Sequence, residues 1–389
     1  MKIDFNGAID RTNTYCTQWD YVEDRFGKSG LLPFTISDMD FASPNEIQQV
    51  LKTRIEHPVY GYSRWNHDDY KQAICHWYQS RFDSSIADGW IAYSPSVIYS
   101  IATLIALNSQ VGDNVLLFTP AYDGFFNCVD HSGRNMVTSA LVDDNGYFEI
   151  DKLDFEKKVA NCQVLLLCNP HNPVGRVWQK EELTYLLEVC RQHGVFVISD
   201  DIHMDICFGV PYCPITTLST ENVAICTSAS KAFNIPALGG SYVLIPDADL
   251  HKRFMDVLKF QHGLSSPSIF GVLATITAYR QCGYWMDELK TYLQDNLHFV
   301  QLYLRQEMPD LTMIYPEGLY FAWIDYSALQ VSAEQLKQQM IQAGVAIMLG
   351  DVYGEGGKHY LRLNVACPRS KIDQGLECLQ QAISQLKEC

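Results

Sequence analysis

VAICTSASKAFN (223–234) opens as a short apolar run and closes around a lysine, Lys231, set among serines and alanines. Two upstream stretches are built alike. VLLLC (164–168) runs into NPHNPVG (169–175), and VFVI (195–198) runs into SDDIHMD (199–205). Near-continuous apolarity over so few residues marks strands covered on both faces, as in a parallel sheet. Polar clusters that follow successive strands meet in one crevice, because ligands of open α/β sheets bind outside the carboxyl ends of the strands. The three clusters therefore predict one site around Lys231.

Further strand-like runs lie at IAYS (91–94), NVLLFT (114–119) and SYVLI (241–245), with helical runs between them. From about 91 to 245 this alternation is the pattern of a parallel sheet with crossover helices. The expected fold class is α/β: a large domain with a mostly parallel sheet between helices, plus a smaller α+β domain. Residues 1–45, aromatic-rich and irregular with turns at Pro33 and Pro44, read as an arm packing with the small domain. Residues 46–285 read as the large domain, with helical spacing at 46–56 and 68–82 around an aromatic-crowded loop (57–69). Residues 286–389 read as the small domain: a helical stretch (286–308), TMIYPEGLYFAWIDYS (312–327), a helix (332–343), a strand (345–349) and HYLRLNVAC (359–367).

The 389 residues are 47% hydrophobic and 19% charged, as expected of a soluble globular chain with substantial cores. A formal net charge of −16 argues against a nucleic-acid surface, which selects clustered Lys and Arg. The 13 cysteines contain no Cys-x-x-Cys and match no metal-ligand spacing, so no metal is expected. An odd count without a framework points to a reducing compartment. The opening MKIDFNGAIDRTNTY lacks the apolar core of a secretory signal, and no apolar run reaches the roughly 18–20 residues of a membrane span. The expected location is the cytoplasm.

Each cluster carries a bland reading beside a chemical one. A lysine after a strand is ordinarily a solvated surface residue. Between small residues, opposite an aspartate and an asparagine, Lys231 instead has what a pyridoxal phosphate Schiff base requires. Ser228 and Ser230 are placed to donate to a phosphate. Asp200 reads either as a helix cap or as the partner of the pyridine nitrogen, with His203 near the ring's 3-hydroxyl. Asn172 either stiffens a βα loop or donates to the 3-oxygen. In SPSVIYSIATLIAL (94–107), Ser94 reads as the N-cap and Pro95 as the first helical residue, which leaves free amides near Ser96 and Val97 for an anion. Tyr122 is either a rim aromatic or a ring stacked on the pyridine. Arg362 either forms a salt bridge on a strand or forks onto a substrate carboxylate. The loop holding Tyr60, Tyr62 and Arg64 is either core or an interface with another subunit.

The chain resembles the fold-type I pyridoxal phosphate enzymes, the aspartate aminotransferase superfamily, over essentially its whole length. It is most similar to the MalY/PatB-type cystathionine β-lyases, or cysteine-S-conjugate β-lyases. The matching segments include CTQWDYVEDRFG (16–27), LLPFTISDMDF (31–41), GYSRW (61–65), SPSVIY (94–99), TPAYD (119–123), ISDDIHMD (198–205), SKAFNIPAL (230–238), GLSSPS (263–268) and RLNVACPRSK (362–371). The resemblance implies that Lys231 carries the cofactor, Asp200 pairs the pyridine nitrogen and Asn172 bonds the 3-oxygen. Ser228, Ser230, Ser96 and Val97 would hold the phosphate, Tyr122 would stack on the ring, and Arg362 would bind the α-carboxylate. Tyr62 would reach the phosphate of the other subunit of a homodimer.

Two departures from the aminotransferase pattern are informative. The usual arginine eight residues after the lysine is Gly239 here, and the usual tyrosine three residues after the aspartate is His203. The carbon–sulfur lyases share both features. The expectation is therefore β-elimination of L-cystathionine or another cysteine S-conjugate to a thiol, pyruvate and ammonia. An aminotransferase on the same fold is the alternative. A second, non-catalytic role, binding a transcription activator, is also implied by the resemblance.

Overall fold

The computed structural model describes residues 3–388. Met1, Lys2 and Cys389, at the ends of the expected arm and small domain, lie outside it. Thirteen strands follow along the described chain: β1 (Leu32–Phe34), β2 (Ile91–Ser94), β3 (Asn114–Thr119), β4 (Asn135–Asp144), β5 (Tyr147–Ile150), β6 (Val164–Cys168), β7 (Phe196–Asp200), β8 (Val223–Thr227), β9 (Ser241–Leu244), β10 (Thr312–Met313), β11 (Phe321–Asp325), β12 (Val345–Leu349) and β13 (Tyr360–Asn364).

Eight of them form one sheet in the order β2-β9-β8-β7-β6-β3-β4-β5. The pairs β8-β7, β7-β6, β6-β3 and β3-β4 are parallel. All five residues of β6, β7 and β8 are buried, which is why these strands read as unbroken apolar runs. The strand at SYVLI departs from a purely parallel arrangement: β9 lies antiparallel between β8 and β2. The β4–β5 hairpin was also not anticipated, although its signal is in the sequence. Asn145 and Gly146 join the strands as a two-residue loop with φ of 53° and 87°, and an Asn-Gly pair is the commonest solution to that geometry.

The second sheet has the order β1-β12-β13-β11-β10, antiparallel apart from the β1–β12 pair. Its first strand comes from the N-terminal segment, and Pro33 is tolerated there because β1 is an edge. The expected helices appear at Asn45–Glu56, Asp68–Phe82 and Ala333–Gln342, and the long one runs Gly283–Glu307. No helix among the described residues is long and apolar enough to cross a membrane.

The long helix is fixed to the end of β13 by one fully buried asparagine. Asn296 Nδ2 donates to Val365 O (2.9 Å) and Cys367 O (3.0 Å), while its Oδ1 accepts from Arg369 Nε (2.8 Å). Replacing Asn296 by alanine leaves two buried carbonyls without a donor, so a loss of about 2–4 kcal/mol is expected. Thermal unfolding of the two proteins checks this, and an unchanged midpoint would mean water replaces the amide.

Candidate active site

The C-terminal ends of β6, β7 and β8 open onto a cavity of about 250 Å³. Lys231, Asp200, His203, Asn172, Tyr122, Ser96, Val97, Ser228 and Ser230 all line it, together with Ser37, Cys168, Gly239 and Gly240. Nine of the eleven residues expected from sequence thus meet in one place. Arg362 is one contact away. Tyr62 is wholly exposed, at 100% of its accessible area, and does not line the cavity of its own chain.

Lys231 follows β8 and directs its amine at Ser37, with Nζ 2.6 Å from Oγ. Burial lowers the amine's pKa, Asp38 pulls it back up, and the Arg362 guanidinium lowers it. Asp200 is the last residue of β7. One of its oxygens accepts from the Ile202 amide (3.1 Å), which leaves the other free of protein partners. Burial pushes its carboxyl up to about 7. His203 packs edge-on against Tyr320 and Phe321, and its Nδ1 has no partner. Burial, with Lys231 and Arg362 nearby, holds it far below the ordinary imidazole range, so it is neutral.

Asn172 and Arg362 are coupled. Nη1 of Arg362 donates to Asn172 Oδ1 (3.1 Å), which leaves the Asn172 amide group to donate into the cavity. Nη2 donates to Thr35 O (2.8 Å), and the planar guanidinium lies over Phe321 at 4.2 Å. Its Nε is buried without an acceptor. The strand salt bridge considered for Arg362 does not form.

At the other end of the cavity, the helix Val97–Asn108 begins. Its cap differs from expectation. Ser96, not Ser94, is the N-cap and accepts from Tyr99 N, and Pro95 lies outside the helix. The shift occurs because β2 continues through Ser94 and holds it extended against Ser241. The free amides accordingly fall at Val97 and Ile98, one residue beyond the expected Ser96 and Val97. Ser228 has a different task from a free donor. Its hydroxyl donates to Gly240 O (2.9 Å) and accepts from Ser230 N (3.1 Å), so it shapes the loop. Ser230 Oγ keeps its hydrogen-bonding capacity. Gly239 has φ 73° and ψ 165°, a conformation open essentially to glycine alone. Tyr122 lies over Gly124, where a Cβ would sit 2.8 Å from the ring's Cζ.

Sequence reasoning missed Ser37, Tyr320 and Asn364. Ser37 stands in TISDMDF, a segment quoted for its resemblance without any chemistry attached. Asp201, also unassigned, is fully buried and accepts from Ser199 Oγ (2.5 Å) and from the Tyr212 hydroxyl.

Burial holds the Asp201 carboxyl up at about 7, whereas in an unfolded chain it titrates near 4. Between these values the unfolded state binds fewer protons, so rising pH favours unfolding by up to about 1.4 kcal/mol per unit. Relative to Asp201→Asn, the cofactor-free parent should lose stability as pH rises from about 4 to about 7. Urea midpoints across that window test this, and a constant difference would show a carboxylate charged throughout. A second prediction concerns Gly239. Gly239→Arg should not tighten anion binding, because its φ strains any side chain by about 1–3 kcal/mol. A lower thermal midpoint and faster loss of bound cofactor on dialysis are expected.

Residues 29–379 match the family model for aminotransferase class I and II. The chain is 42% identical to Protein MalY of Escherichia coli K12, over 99% of this chain and 100% of that protein. It is 35% identical to cystathionine β-lyase PatB of Bacillus subtilis, over 98% and 100% respectively. The structure of a PLP-bound C–S lyase from Staphylococcus hominis superposes with a TM-score of 0.93 at 28% identity, covering 98% of each chain. The chain therefore belongs to the aminotransferase class I and II family and groups within it with MalY and PatB.

Proposed function

We propose that the protein is a pyridoxal phosphate-dependent carbon–sulfur β-lyase, which converts L-cystathionine or a related cysteine S-conjugate to a thiol, pyruvate and ammonia. The observation that carries this reading is the presence of Lys231 and Asp200 in one cavity, each pushed toward its neutral form by burial, opposite a free helix N-terminus. The relatives named above as cystathionine β-lyase and C–S lyase support it.

The donor set fits pyridoxal phosphate. A deprotonated amine at Lys231 can attach an aldehyde, and the free Asp200 oxygen can hold a pyridine N–H. The Asn172 amide can donate to the 3-oxygen, with neutral His203 beside it. The Val97 and Ile98 amides and Ser230 can receive the phosphate, Tyr122 can cover the ring face, and Ser96 and Ser228 shape the two phosphate-side turns. When bound, the cofactor supplies a carbonyl for the substrate's amine and a ring that withdraws electrons from Cα.

The chain's own residues do the rest. Arg362 has one buried N–H unused, and a substrate α-carboxylate is the acceptor that completes it. That contact orients the Cα–H bond toward Lys231. The Lys231 amine takes the Cα proton, leaving the electron pair on carbon. That pair closes a Cα–Cβ double bond as the Cβ–S bond breaks, Nζ returns the proton to the departing sulfur, and water hydrolyses the released enamine to pyruvate and ammonia. Paired with a pyridine N–H, the Asp200 carboxylate would place negative charge under the site. Transamination would require the proton to return to the cofactor side and a 2-oxo acid to complete the cycle.

Several finer readings belong with this one. The five-stranded sheet with its N-terminal strand is taken as the small domain and the eight-stranded sheet as the large one. The protein is taken as a homodimer in which Tyr62 reaches the phosphate of the second copy; the exposed Val59, Tyr60 and Tyr62 support this. The 12 free cysteines among the described residues fit a cytoplasmic location. Binding of a transcription activator is an additional role, tested by pull-down with parental and Lys231→Ala protein.

Lys231→Ala should lower pyruvate release from cystathionine by more than about a thousandfold. Pyruvate at the parental rate would overturn the reading. Product formation strictly dependent on an added 2-oxo acid would favour the aminotransferase.

A further inference from the structure

Ser37 lies in an extended segment that is held with unusual completeness. Five successive carbonyls each accept a side-chain donor. Thr35 O accepts from Arg362 Nη2 (2.8 Å), Ile36 O from Asn364 Nδ2 (2.6 Å) and Ser37 O from the Tyr320 hydroxyl (2.5 Å). Asp38 O accepts from Asn364 Nδ2 (2.9 Å), and Met39 O from Asn234 Nδ2 (2.9 Å) and Arg11 Nη1 (3.1 Å). The Met39 amide is also taken, by Asn234 Oδ1 (3.0 Å). These donors come from β13, from the residue just before β11, from the loop after Lys231 and from the N-terminal segment. Ordinary irregular backbone leaves such carbonyls to water.

This pinning leaves Ser37 Oγ as the polar group of the segment that meets the Lys231 amine, at 2.6 Å. A lysine amine displaced by a substrate's amino group has the same hydroxyl within reach. Lys231 lines both the cofactor cavity and a second, larger cavity of about 820 Å³ on its far side, bounded by Arg11, Tyr15, Asp38 and Leu238. A long, flexible side chain between two cavities has room to leave the reacting carbon.

We propose that Ser37 is a positioning residue, whose hydroxyl docks the displaced Lys231 amine beside the substrate Cα and keeps it out of the second cavity. The inference rests on Lys231 being the proton carrier named above. In the step concerned the Cα–H bond breaks, the proton passes to Nζ, and the electron pair remains on carbon. Ser37 exchanges no atom with the substrate; it narrows the range of places Nζ visits. Tyr320 acts one contact further out by fixing the Ser37 carbonyl. The charge of Asp38, next along the chain, favours the protonated amine once it has taken the proton.

The test is exchange of the α-hydrogen of L-alanine with solvent deuterium, followed by proton NMR on the pyridoxal phosphate-loaded protein. Alanine has no leaving group, so the measurement is independent of elimination. Ser37→Ala should slow exchange about tenfold, the scale of one well-placed hydrogen bond to a charged group. It should lower kcat for pyruvate release by a similar factor with KM unchanged within about twofold, and leave the absorbance spectrum of bound cofactor as in the parent. Ser37→Thr, which keeps the hydroxyl, should restore most of the rate. Tyr320→Phe should give a smaller loss of the same kind. Parental exchange in Ser37→Ala, or in Tyr320→Phe should the first variant not retain cofactor, overturns the proposal, as does a change confined to KM. Exchange that follows this pattern without pyruvate from any cysteine conjugate would overturn the lyase reading while supporting the role of Ser37.

Discussion

The Arg362 guanidinium is the tie on which the site depends. It is buried on β13 of the smaller sheet, sandwiched near Phe321 and Tyr353, and carries a permanent positive charge. One arm holds Asn172, on the loop after β6 of the larger sheet, and another holds Thr35, at the start of the pinned segment. Neither acceptor is a carboxylate, so the charge is hydrogen-bonded but not neutralised. Burying an uncompensated charge is expensive. The proposed function supplies an anion for this charge, the substrate α-carboxylate, and Nε is the donor left over to receive it.

The same logic runs through the neighbouring groups. Asn172 turns its oxygen to Arg362 and so offers its amide inward. His203 is kept neutral chiefly by burial, with Lys231 and Arg362 nearby, so it adds no positive charge beside Arg362. A tyrosine at that position would bring a hydroxyl to the ring; histidine brings a ring nitrogen that here has no protein partner. Gly239 removes a side chain where an arginine would otherwise add charge to the phosphate end. Its backbone conformation accommodates the loss, since φ 73° and ψ 165° suit no other residue well. These two departures from the aminotransferase pattern are therefore built into local geometry as well as into sequence.

Much of this was legible in the chain. VLLLC, VFVI and VAICT became adjacent parallel strands because continuous apolarity has few other uses in a chain this size, and the polar residues after them had to converge. What stayed hidden depends on distant pairing. SYVLI has the same apolar texture as its neighbours, and nothing local says that it runs antiparallel. Ser94 looks like a cap until β9 claims it for the sheet. Ser228 looks like a phosphate donor until Gly240 O, twelve residues on, accepts its hydrogen bond. Ser37 was least legible, because its function lies in the five carbonyls around it, and their partners are scattered from Arg11 to Asn364.

The cofactor-free chain also carries two opposed strains at its centre. Burial raises the Asp200 carboxyl and lowers the Lys231 amine, so each group is driven toward its neutral form although each would be charged in water. A direct ion pair would relieve both, but the fold keeps them apart and gives Lys231 a hydroxyl instead. The result is an amine that gives up its proton more readily than in water and a carboxyl that a cationic N–H would stabilise in its charged form. One ligand satisfies both only if it presents a carbonyl and a basic ring nitrogen at the two ends of a flat ring. Tyr122 and His203 both line the cavity, and the helix start at Val97 opens onto it as well. Binding such a ligand should thus stabilise the fold and the catalytic protonation states together, since the groups strained without it are the ones it completes.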